Sequence, residues 1–127
     1  MKTRHALALW LGGIVTMFAA GAMAMNVVDL SYDASTDELV VKIAYRGTHA
    51  NHAFTVRWEQ CRTRGDGTQE VFGLLLDSEP NDPARMDYQK TLKIGMSQLP
   101  CRATHVTIGA ANPQFRKTIS VPPPKSK

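Results

Sequence analysis

The residues whose type and spacing come nearest to a reactive site are two histidines three positions apart, in the run His49-Ala50-Asn51-His52. Imidazole is the commonest metal ligand and the side chain that exchanges a proton near neutral pH. Joined by His105 and by the thioethers of Met25, Met86 and Met96, the pair has the ligand types of a copper site. The context argues against one. Residues 47–51 read as a loop, no third ligand is near in sequence, and the helical zinc pattern is missing. His49 and His52 are expected in a solvated loop, as weak metal candidates, and no cofactor is expected.

Other chemistry has less support. Ser31, Ser35, Ser78, Ser97 and Ser120 include none in a Gly-x-Ser-x-Gly elbow. Glu59 with Asp87 or Asp77 offers a carboxylate pair of a kind common on polar surfaces, and no Gly-rich phosphate loop follows a strand. Asp77, Glu79, Asn81, Asp82 and Asp87 gather oxygen donors around Pro80 and Pro83, but their spacing matches no EF-hand, and they are expected to be solvated. Arg64-Gly65-Asp66 is a tripeptide that adhesion receptors read, yet Gly and Asp are also what a hairpin tip requires. The chain is expected not to be an enzyme.

The chain opens with a cationic start, Lys2 and Arg4, then an apolar run from Ala6 to Val15 that continues to Ala22-Met23-Ala24. This is the pattern of a cleavable signal peptide, residues 1–24, with the mature chain starting at Met25 and without a membrane span. Export to the periplasm or the medium is expected. Removing 24 of 127 residues leaves 103, enough for one domain with its own core. Of 15 basic and 11 acidic residues, two basic ones fall in the leader, so the remainder carries only +2 and nucleic acid is not an expected partner. Cys61 and Cys101 are the only cysteines, and in an oxidising compartment they read as one disulfide closing a 40-residue loop.

These side chains must be positioned by strands, because period-two alternation recurs at short intervals and helical periodicity is nearly absent. Seven strands are expected, near 27–32, 38–46, 53–60, 70–76, 86–94, 104–109 and 115–121, in a domain spanning 25–121 with a flexible Pro/Lys tail at 122–127. In the first, Val28, Leu30 and Tyr32 share a face; in the second, Leu39, Val41, Ile43 and Tyr45 do. In the third, Phe54, Val56 and Trp58 oppose Thr55, Arg57 and Glu59; in the last, Phe115 and Ile119 are assigned to the core. A Trp on the third strand and a Cys opening the sixth resemble an immunoglobulin-like or fibronectin type III antiparallel sandwich, a similarity of architecture rather than of family.

In that topology the third and sixth strands are antiparallel neighbours, which a Cys61–Cys101 bond would clip side by side. Arg57 would then face His105, and Glu59 would face Ala103. Both cysteines are out of phase with the expected core residues, so their sulfurs are expected to point outward or sit at the rim. The outer face of the third, sixth and seventh strands would present Thr55, Arg57, Glu59, His105, Thr107, Arg116 and Thr118, a mixed cationic surface suited to a protein or cell-envelope partner. The function expected is that of a small exported binding or accessory module. The alternatives are a periplasmic copper carrier using His49 and His52, and an inhibitor that blocks an exogenous hydrolase with the Arg62–Gly67 loop.

Overall fold

Alternating β-branched and aromatic residues fold here into two sheets that face each other across an apolar core. The computed structural model describes residues 25–110 and 116–123. The expected leader, Phe115 and the end of the tail lie outside the described residues. Eight strands are present among the described residues: β1 (Met25–Asp33), β2 (Glu38–Gly47), β3 (Phe54–Trp58), β4 (Arg62–Thr63), β5 (Gln69–Asp77), β6 (Met86–Gly95), β7 (His105–Gly109) and β8 (Arg116–Ser120). One sheet has the order β1-β2-β6 and is antiparallel throughout. The other runs β3-β5-β7-β8, with β4 added beside β5.

The core is built by alternate residues on the inner faces, as a half-buried strand requires. Leu39, Val41, Ile43 and Tyr45 from β2 are buried, as expected, against Val71 and Leu75 of β5 and Val106 and Ile108 of β7. Val56 and Trp58 pack on the margin of this cluster while Thr55 and Arg57 are exposed. A short 3-10 turn, Met96–Gln98, buries Met96 and leads from β6 towards β7.

Three expectations are corrected. In β1 the buried residues are Val27 and Leu30, and Val28 is 41 % exposed, because the register shifts between Val27 and Asp29. A bulge at that point reverses the alternation. Second, β3 and β7 are not neighbours. β5 lies between them, antiparallel to β3 and parallel to β7, so Arg57 faces Leu74 and His105 faces Glu70. The apolar residues on both faces of β5 suit a strand flanked on either side.

Third, the Cys61–Cys101 disulfide is formed, with Cα atoms 6.4 Å apart, and of the two places expected for its sulfurs, outward or at the rim, the outward one fails. Trp58 pairs with Gly73 and Arg62 with Glu70, four steps along one strand against three along the other. That extra residue returns Cys61 to the inner side, where both cysteines are partly buried against the core. Cys61 precedes β4 and Cys101 approaches β7, so the bond ties together the two strands that flank the start of β5.

Candidate functional site

Outward residues of the β3-β5-β7-β8 sheet form a groove of about 350 Å³ whose floor is Phe72. Five of the seven residues expected on this outer face, Glu59, His105, Thr107, Arg116 and Thr118, line it, and Thr55 does not. Nor does Arg57; it lies further along the same face, opposite Leu74. The register explains the assembly: Phe72 pairs with Thr107, Thr107 with Thr118, and Glu70 with His105. The Thr107 and Thr118 hydroxyls are hydrogen-bonded at 2.7 Å.

The guanidinium of Arg116 lies 4.8 Å from the centroid of the Phe72 ring, within cation–π range. It reaches there over Gly109, its partner across the β7–β8 pair. A Cβ at position 109 would sit 2.6 Å from Arg116 Cγ, so the absence of a side chain is what lets Arg116 lie flat on the sheet. Arg64 is loosely paired with Glu70 at 3.8 Å, whereas Arg62 and Arg116 have no carboxylate within 4 Å among the described residues. An aromatic ring, guanidinium groups with no carboxylate within 4 Å among the described residues, and hydroxyls are the groups that bidentate hydrogen bonding to a carboxylate requires. Phe72 and Gly109 were missed in the sequence. For Phe72 the signal was there: Phe72, Leu74 and Leu76 alternate with the buried Val71, Gly73 and Leu75.

A second constellation joins two segments that separately looked unremarkable. Phe54 pairs with Asp77, and the backbone continues the pairing, Ser78 N–H donating to Ala53 O at 2.8 Å. This sets His52 beside the acidic loop. His52 is 1 % exposed, so the expectation that it lies in solvent is overturned. Its Nδ1 is 2.8 Å from both oxygens of Asp77, and its Nε2 is 2.7 Å from Asp82 Oδ2. Asp82 also accepts the Thr48 N–H at 2.8 Å and the Thr48 hydroxyl at 2.6 Å. His49 Nε2 is 2.9 Å from Glu79 Oε1, and its Nδ1 accepts the Asn51 N–H at 3.0 Å.

The electrostatics follow from the contacts. Burial opposes a charge on His52, but the carboxylates of Asp82 and Asp77, with Glu79 behind them, outweigh it and raise its pKa above the ordinary histidine value. Thr48 and His52 hold the Asp82 carboxyl well below the usual carboxylate range. With a carboxylate on each ring nitrogen, His52 is held as an imidazolium, both nitrogens donating. His105 is not part of this centre: it pairs with Glu70 at the start of β5, whereas His52 meets Asp77 at its end. Met96 is buried under the 3-10 turn.

No helix among the described residues is long and apolar enough to cross a membrane. Comparison with protein-family models, curated proteins and solved structures finds no match to this chain.

Proposed function

We propose that this chain is an exported, non-enzymatic binding module that uses the groove above Phe72 to hold a carboxylate-bearing protein or cell-envelope partner. The observation that carries this reading is the placement of Arg116 over Phe72 across Gly109, beside Arg62, which has no carboxylate within 4 Å among the described residues. A long cationic side chain laid on an aromatic ring loses less conformational freedom when a carboxylate arrives than one that waves in solvent. Export is supported by the N-terminal sequence and by a disulfide, which persists in oxidising compartments. The two cysteines of the chain are joined to each other, which removes thiol nucleophiles from its chemistry. The immunoglobulin-like reading of the fold rests on the β1-β2-β6 sheet facing a larger one, and the parallel β5–β7 pair departs from that pattern.

The test is capture from a cell-envelope extract by immobilised protein purified from the periplasm, whose intact mass should begin at Met25. Wild type is expected to retain a partner that salt elutes, and a Phe72→Ala/Arg116→Ala variant to retain at least tenfold less. Equal capture by both proteins, or none by wild type, overturns the groove, and a mass that includes residues 1–24 overturns the processing.

A further inference from the structure

The geometry points to the centre around His52 as a binding site for one divalent transition-metal ion of the zinc class, held by Nε2 of His49, Nε2 of His52 and the carboxylates of Glu79 and Asp82. It is independent of the groove, which occupies the other end of β5. The four residues each offer one donor atom, and these atoms all lie within 4.8 Å of one another. Two imidazoles with two carboxylates suit zinc, and copper(II) binds at least as tightly to most such donors. Calcium and magnesium take oxygen ligands and gain little from a site half made of imidazole.

The site is built in depth. His52 and Asp82 are its inner wall, with side chains 1 % and 8 % exposed, and His49 and Glu79, at 39 % and 43 %, are its mouth. An ion can therefore enter from solvent between the outer pair and meet the inner one. Asp77 grips Nδ1 of His52 and aims Nε2 at the centre, the carboxylate–histidine–metal relation found behind ligating imidazoles. Thr48 holds Asp82 through two hydrogen bonds. Gly47 supplies the room, since a Cβ there would fall 2.6 Å from Asp82 Oδ2 and 2.7 Å from His52 Nε2.

Tetrahedral ligands at zinc distances stand about 3.3 Å apart. The contacts His52–Asp82 at 2.7 Å and His49–Glu79 at 2.9 Å must open slightly, and His49–Asp82 at 4.0 Å must close. The protons balance as follows. His52 releases the Nε2 proton to solvent and keeps the one on Nδ1 that Asp77 accepts. His49 moves its proton from Nε2 to Nδ1 and gives up the Asn51 N–H, which belongs to an exposed residue and finds water instead.

Calorimetric titration of zinc chloride, and separately of copper(II) chloride, into tag-free protein stripped of metal tests the site. One ion per chain is expected, with calcium chloride giving no binding. His49→Ala and Glu79→Gln change only the exposed mouth and should fold as wild type, each weakening zinc at least tenfold. Asp77→Asn, which removes no ligand, should weaken it about 10- to 100-fold. Asp87→Asn, on a carboxylate paired with Arg46, should change nothing. No binding of zinc by wild type, or an unchanged affinity in the His49→Ala/Glu79→Gln double variant, overturns the proposal.

Discussion

Asp37 shows how one side chain can tie distant parts of this chain. It sits at a positive φ of 56°, which Asp and Asn tolerate better than other side chains. One of its oxygens accepts the Tyr32 hydroxyl at 2.6 Å and the other accepts Arg102 at 2.7 Å, joining the β1–β2 turn to the approach to β7. Arg102 first, and then Tyr32, hold its carboxyl below the usual carboxylate range. A lowered folded-state pKa gives stability that is present above the unfolded value of about 3.9 and is lost as pH falls through the folded one. Asp37→Asn keeps the backbone conformation and removes the charge. The urea midpoint of wild type should exceed that of the variant at about pH 6, and the gap should narrow as pH falls below about 4. A gap that does not change with pH would mean that the charge contributes nothing.

At the scale of the element, β1 gives the sharpest test of register, because Val27 and Val28 are adjacent, identical and oppositely placed. Val27 is 2 % exposed and Val28 is 41 % exposed. Val27→Ala removes two buried carbons and should cost about 2 kcal/mol. Val28→Ala should stay within about 0.5 kcal/mol in the same denaturation experiment. The reverse order would restore the unbulged strand. Alternation alone made the faces of β2 and β3 legible, since each keeps an unbroken period of two. It failed at Val28 and at Cys61, where one extra residue reverses the phase and no turn residue announces it. The histidine centre was illegible for a different reason. His49, His52 and the loop from Asp77 to Asp82 were each visible, but the pairing of Phe54 with Asp77 that brings them together is a long-range choice that no local pattern encodes.

For the whole molecule, the disulfide is the main covalent constraint. Its 40-residue separation corresponds to about 4 kcal/mol of chain-entropy stabilisation, an upper figure where the reduced chain keeps residual structure. Reduction should lower the unfolding free energy by about 2–4 kcal/mol, measured by urea denaturation with and without reductant. Trp58 fluorescence of the reduced native protein should remain that of a partly buried ring, because Gly73 and Val56 beside it belong to strands that the bond does not hold. A Trp58 exposed on reduction without global unfolding would show that the bond, and not packing, seats it.

The parallel pairing of β5 with β7 has a kinetic consequence. A parallel neighbour cannot be reached by a hairpin, and here the chain leaves β5, runs the length of β6 in the opposite sheet and returns before β7 can add to β5. The second sheet is therefore completed only when segments far apart in the chain meet. Such topologies fold slowly, since loop closure precedes the contacts that reward it. Until β7 arrives, one edge of β5 is an open template for any other extended chain, so the interval before closure is when this molecule is most exposed to pairing with the wrong strand.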